Sequence, residues 1–373
     1  SGVSGHVMEI DDIHQEAIIH PAAPVLPATL AIAERNNMSG KDLITAIVIG
    51  YEVEIRIGKA INPSHYQFWH TTGTCGTFGA AAAVGKLLDL DYKSMVNALG
   101  IAGTTAAGLV EVFGTMSKYI NPGRAAMDGI LAAILAKEGL TSSPRILESE
   151  KGYLRATAKE FNIRKITEKL GKNFEIMNNI FKRHASCGHT HGAIDAILEI
   201  AKGYGVKADD VDEILVGTYP IAVNTVGKNY EPKNVDEAKF SLPYCIAVAL
   251  IYGRVSLKEL SEEKLTDPEV RKLLKKVKVY IDSKCAKARL GCARVIVRTK
   301  SGHVYEYYVN APKGYPQNPL TKQEIQLKFK SLASSTLTEE KIRDILKIID
   351  NLEEINVKEL TTLLKVRNTC RKK

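Results

Sequence analysis

A chain of 373 residues, 45% hydrophobic and 25% charged, has a globular composition; this excludes a disordered or fibrous protein, and the length predicts two domains. The formal charge of +9 favours anionic partners, but the lysines and arginines are dispersed and not interleaved with aromatics, which argues against nucleic acid. No apolar stretch reaches the roughly 20 residues that span a bilayer, and Cys75, Cys187, Cys245, Cys285, Cys292 and Cys370 form neither a C-x-x-C pair nor a disulfide framework.

With no signal-like segment at its start, the chain is expected in the reducing cytoplasm, away from membranes. The opening residues have helix-like spacing without a start signal, so helices are expected upstream of Ser1. Helical spacing then predicts helices over residues 27–35, 40–60, 77–88, 92–103 and 123–138, with Asp91 as an N-cap and Gly139 as a stop. Strands are expected over 213–219, 277–281, 293–299 and 303–309, the last two joined as a hairpin through Lys300-Ser301-Gly302. Helices are expected over 192–202, 238–252 and 267–276, and again over 321–333, 338–352 and 357–364. The fold class is therefore mainly α with an α+β second domain: an all-helical domain of residues 1–180 plus 318–373, and an α+β domain of residues 181–317 with an antiparallel sheet.

Five stretches carry candidate chemistry. His6, Glu9, Asp11, Asp12, His14, Glu16 and His20 crowd into fifteen residues ahead of Pro21, Pro24 and Pro27. Such a strip suits a surface turn, a metal site, or an acid/base and substrate-binding strip held extended by the prolines. Gly73, Gly76 and Gly79 follow His70 with G-x-x-G-x-x-G spacing, which is not the dinucleotide fingerprint. Read as a loop before a helix, their amides would receive a carboxylate; the alternative is close helix packing. Cys75 among them reads as a small buried residue.

Lys118 and Arg124 flank a turn into a helix, where cations oppose the helix dipole unless they bind an anion. Lys182, His184, Cys187, His189 and His191 run into another helix; a neutral histidine at a helix start suits a general base, and polar capping is the plainer alternative. Tyr244 follows Pro243, which would orient it at a helix start.

Taken in order, the strings at 6–14, 20–27, 70–83, 118–129, 182–195 and 238–250, with the closing pattern from Lys328 to Leu363, resemble the MmgE/PrpD family over essentially the whole chain. The resemblance implies a helical domain built from both chain ends, a smaller α+β domain, a homodimer, and a pocket between the domains. It also implies lyase-type chemistry on a small di- or tricarboxylic acid with no metal and no organic cofactor. The expected reaction is 2-methylcitrate dehydration, with cis-aconitate decarboxylation or iminodisuccinate epimerisation as alternatives. A non-catalytic carboxylate-binding protein and a zinc enzyme are the readings from other classes. The family positions fall on Glu9, Asp12, His20, His70, Lys118, Lys182 and Tyr244, and on either His189 or His191. Glu9 stands where the family usually has Asp, and Ile13 where it often has Thr. In this reading Lys118, Arg124 and the amides near Gly73 hold carboxylates; His70 or His191 moves the proton, with Tyr244 or the other histidine as partner acid.

Overall fold

The computed structural model describes residues 1–113, 115–288 and 291–365, which leaves Cys370 outside the described residues. Two compact units emerge: Ser1–Val7 with Asp12–Asn179 and the chain from Thr321, and Met8–Asp11 with Ile180–Leu320.

The first unit is helical: α1 (Gly2–Val7), α2 (Ala22–Arg35), α3 (Gly40–Ile61), α4 (Thr71–Leu87), α5 (Tyr92–Thr105), α6 (Ile120–Lys137), and the short α7 (Tyr153–Thr157) and α8 (Arg164–Thr167). Local signals start several of them. Ser39 and Asp42 form a capping box on α3, and Asp91 accepts from the Ser94 amide at 2.7 Å to cap α5. Helix α2 begins five residues before the expected position, because Pro24 falls in its first turn, where a missing N–H costs nothing.

Helix α4 is the centre of this unit, buried from Thr71 to Gly85 and packed on α2, α3, α5 and α6. Its small residues let backbones meet: a Cβ on Gly129 of α6 would lie 2.4 Å from Ala80 Cβ, and one on Gly50 of α3 would lie 3.0 Å from the Gly79 carbonyl oxygen.

The second unit holds α9 (His191–Tyr204), β1 (Val211–Thr218), α10 (Pro220–Val226), α11 (Val235–Lys239), α12 (Leu242–Tyr252), α13 (Glu262–Leu265), α14 (Pro268–Leu274), β2 (Val277–Ile281), α15 (Ser283–Ala286), β3 (Ala293–Thr299) and β4 (Val304–Val309). The strands form one sheet in the order β2-β1-β3-β4. β3 pairs antiparallel with β1 and β4, as expected, but β2 runs parallel to β1. The expected all-antiparallel sheet is thus mixed: the long helical connection from β1 to β2 returns the chain to the same end of the sheet, as parallel pairing requires. Ala293, Val295, Val297 and Thr299 turn one buried face of β3 inward, and α9 packs on β3 and β4. The helix expected over 238–252 is two helices, because Ser241 breaks it and caps α12 through the Tyr244 amide at 3.2 Å.

The chain then returns to the helical unit as α16 (Lys322–Ala333), α17 (Glu339–Asp350) and α18 (Val357–Leu364), each capped by the preceding Thr or Asn. The Gly40 amide donates to the Ile355 carbonyl at 2.9 Å and the Val357 amide to the Met38 carbonyl at 3.0 Å. No helix is long and apolar enough to cross a membrane among the described residues.

Candidate active site

In the helical unit, the acidic strip divides between anchoring and chemistry. Asp12 caps the entry to α2 through the Ala22 amide at 3.0 Å, and its other oxygen accepts from Tyr51 Oη at 2.7 Å and Asn179 Nδ2 at 2.6 Å. His14 and Glu16 serve structure as well. Buried His14 lies 3.4 Å from Glu175, Lys59 bridges Glu175 and Glu16, and Lys165 reaches Glu16 at 2.8 Å. The hydrogen bond from His14, with Lys59 beside it, holds the Glu175 carboxyl down at about 2. Glu52 receives the Glu175 amide at 2.7 Å, so this network fastens the segment before the second unit onto α3.

His20 has another role. Its backbone is fixed by Thr72 Oγ1 at 3.1 Å, and Nδ1 meets the Asp12 carbonyl at 2.9 Å. A carbonyl only accepts, so Nδ1 carries the proton and neutral His20 keeps its basic lone pair on Nε2. His70 is the N-cap residue of α4, and its Nδ1 accepts from Asn121 Nδ2 at 3.1 Å. The proton of neutral His70 therefore sits on Nε2, the opposite tautomer.

The buried His6 ring joins the two, its centroid 4.8 Å from that of His20, 5.6 Å from His70 and 5.7 Å from Tyr119. Lys118, buried in the single turn Met116–Tyr119, stands 5.4 Å from the Phe113 ring and 5.5 Å from the Tyr119 ring. Phe113 in turn meets the edge of His70 at 4.9 Å. Buried His6, His70 and Lys118 and half-buried His20 thus share one aromatic-walled place. The sequence pointed to His20, His70 and Lys118, with His6 in the same strip as His20, but not to the part played by Phe113, Tyr119 and Asn121; of these, Tyr119 and Asn121 fall inside the Lys118–Arg124 string.

Gly73, Gly76 and Arg124 fall elsewhere. Gly73 and Gly76 lie inside α4 rather than in a loop, and the Gly73 amide already donates to the His70 carbonyl at 2.8 Å. Their glycine identity answers to packing: a Cβ would come within 2.8 Å of the Ala107 carbonyl oxygen at Gly73, 2.6 Å of Pro24 at Gly76, and 2.8 Å of Glu54 at Gly79. Burial, with the Asp12 carboxylate nearby, pushes the Glu54 carboxyl well above its ordinary range. Arg124 is exposed and pairs with Asp128 at 3.1 Å, one turn along α6. Cys75 is buried and its thiol is pushed up to about 12, as an inert packing residue requires.

In the second unit, Lys182 is 1% exposed, and its Nζ donates to the Glu9 carbonyl at 2.9 Å and carboxylate at 3.2 Å. Burial opposes that charge, yet Glu9 and Asp11 outweigh it and hold the ammonium above its ordinary range. His189 Nδ1 meets Tyr219 Oη at 2.7 Å, while His191 Nε2 points to the Ser186 carbonyl at 3.4 Å. The nitrogens of the Cys187-x-His189-x-His191 string therefore serve different partners. Burial, then Lys182, drives His189 down to about 4; burial, His184 and Lys182 depress His191 well below its ordinary value, so both imidazoles are neutral near pH 7. Tyr244 is fully buried with no hydrogen-bond partner for its hydroxyl among the described residues, and burial raises its pKa. Such an orphaned donor suits a phenol that meets a ligand.

Comparison with known proteins follows the same line. The MmgE/PrpD N-terminal domain matches residues 1–165 and the MmgE/PrpD C-terminal domain matches residues 184–354. The chain is 30% identical to the cis-aconitate decarboxylase of Aspergillus terreus, over 96% of this chain and 78% of that one. It is 29% identical to the cis-aconitate decarboxylase of Homo sapiens, over 98% and 78%. Likeness to the 2-methylcitrate dehydratase of Salmonella typhi is 23%, over 76% and 62%.

Proposed function

Because the chain belongs to the MmgE/PrpD family, we propose that it is a lyase that decarboxylates a small unsaturated polycarboxylate of the cis-aconitate type. The carrying observation is the longer and closer likeness to proteins named cis-aconitate decarboxylase than to those named 2-methylcitrate dehydratase. That order reverses the expectation drawn from the motifs, in which dehydration came first.

Decarboxylation breaks the bond between a carboxyl carbon and its neighbour, leaves the electron pair on the substrate, and ends when an acid protonates that carbon. The helical unit supplies groups for each part. Buried Lys118 offsets negative charge in a low-dielectric place, where a fixed cation acts most strongly. His70, locked with its proton on Nε2, donates a hydrogen bond to the developing charge as a neutral imidazole. His20, steadied through Nδ1, takes up and delivers the proton at Nε2. The proposal draws on side chains alone. A second copy of this chain is the partner we propose, since Ile120, Met127 and Leu131 form an exposed apolar row along α6; light scattering would give the mass.

The deciding experiment is proton NMR of the protein with cis-aconitate, citrate, 2-methylcitrate and 2-methyl-cis-aconitate in deuterated buffer. Itaconate appearing from cis-aconitate supports the proposal. An alkene formed from a hydroxy acid would replace decarboxylation with dehydration. Binding in a thermal-shift titration without any turnover would leave a carboxylate-binding protein.

A further inference from the structure

Asp195 has no part in the chemistry assigned so far, yet it is a buried carboxylate at the foot of the second unit's histidine string. It lies one turn into α9, four residues after His191 and hence on the same helix face. One oxygen accepts from His184 Nε2 at 2.9 Å and Arg183 Nη1 at 3.2 Å, and the other accepts from the Lys313 amide at 2.7 Å. The His184 ring meets the His191 ring edge-on at 5.1 Å. Between them the loop carries Ser186, whose carbonyl is the partner of His191 Nε2 and whose hydroxyl meets Thr190 Oγ1 at 2.7 Å. One carboxylate therefore ties a nine-residue loop, 183–191, back onto the helix that the loop begins. Its outer side is open: a cleft of about 530 Å³ is lined by Arg183, Asp195, Glu199, Tyr307 and Lys313.

We propose that Asp195 is a positioning residue: it clamps His184 through Nε2 and thereby fixes the orientation and tautomer of His191. All three contacts on Asp195 come from N–H donors, so both oxygens must accept. Asparagine at this position keeps the shape but has one acceptor only, so its amide N–H must oppose either His184 Nε2–H or the Lys313 amide. With Asp195 charged, His184 is held as an Nε2 donor. His191 then presents Nδ1 as its lone pair, because Nε2–H is directed to Ser186. The charged and titratable groups around His191 are Lys182, His184 and Asp195, and burial, with His184 and Lys182, depresses its pKa against the pull of Asp195.

The inference rests on the proposed lyase reading only where turnover is measured. The test is selective ¹⁵N-histidine NMR, with turnover and its pH profile, on wild type, Asp195→Asn and His184→Gln. In the wild type the ring nitrogens of His184 and His191 should both report proton on Nε2. In Asp195→Asn the His184 or His191 pattern should change, and kcat should fall about 100-fold, the scale of an ångström-sized misplacement, with KM nearly constant and a displaced acid limb. His184→Gln, whose amide can still donate to Asp195, should fold normally and yet alter the His191 resonances. A wild-type His191 protonated on Nδ1, or unchanged His191 resonances in both variants, overturns the inference. Wild-type protein without lyase activity overturns the proposed function instead, while the nitrogen resonances still decide the role of Asp195.

Discussion

The Lys182 ammonium reaches both the carbonyl and the carboxylate of Glu9, a residue whose φ of +55° is itself uncommon outside glycine. One side chain thus secures the Met8–Asp11 segment to the strand-bearing unit it belongs to. Breaking a buried pair by removing one partner leaves the other charge stranded. Lys182→Met should therefore cost about 3–5 kcal/mol, and adding Glu9→Leu should return part of that loss. Urea unfolding of the single and double variants checks this; a single-variant loss below about 1 kcal/mol would contradict the clamp.

Gly76→Ala places a methyl 2.6 Å from Pro24 and should lower stability by about 1–3 kcal/mol, as overpacking does. Gly73→Ala should do the same against the Ala107 carbonyl. Thermal unfolding reads the loss. A variant of normal stability whose substrate affinity alone collapses would restore the anion-binding reading of these glycines.

Lys118→Met keeps much of the side-chain volume in its aromatic surroundings while removing the cation. Turnover should fall by at least about 100-fold, the usual scale for losing one charge-stabilising group, with circular dichroism unchanged. Near-normal kcat/KM in a folded variant would remove Lys118 from the chemistry.

Acid should destabilise the fold in two steps. His189 titrates at about 4 when folded against an ordinary 6.5, so the unfolded chain binds its proton first, and stability falls as pH drops from about 6.5 towards 4. Glu175, held at about 2 against 4.5, contributes stability that is present above 4.5 and lost as pH falls towards 2. Denaturant titrations at stepped pH should show both windows. His189→Gln should shrink the upper one, to which His65 and His191 also contribute, and Glu175→Gln the lower; an unaltered profile in either variant refutes that assignment.

What the sequence disclosed was what neighbours a few residues apart decide. Asp91, Thr321, Thr338 and Asn356 start helices because each cap bonds an amide within three residues, and the β3–β4 hairpin follows from its own turn. Helix α4 was misread at its start because glycine signals a loop unless a partner surface demands it, and Pro24, Glu54 and Ala107 lie far along the chain. The direction of β2 escaped for the same reason: pairing across sixty residues leaves no local trace. Within the site, His20, His70 and Lys118 were legible as chemistry-bearing types. The tautomers that separate the two histidines depend on Asp12 and Asn121, and are visible only in three dimensions. His14 and Glu16 looked like the same strip but are structural fasteners, a difference made by Lys59 and Glu175.

The bonds from Gly40 to Ile355 and from Val357 to Met38 impose an order on biosynthesis. A growing chain offers the entire strand-bearing unit to the cell before residue 355 has been made. The amide at the head of α3 must wait some three hundred residues for its carbonyl. Until the last helices emerge, the helical unit exists as an unsealed fragment with its neighbour already complete, and chaperones have that interval in which to act.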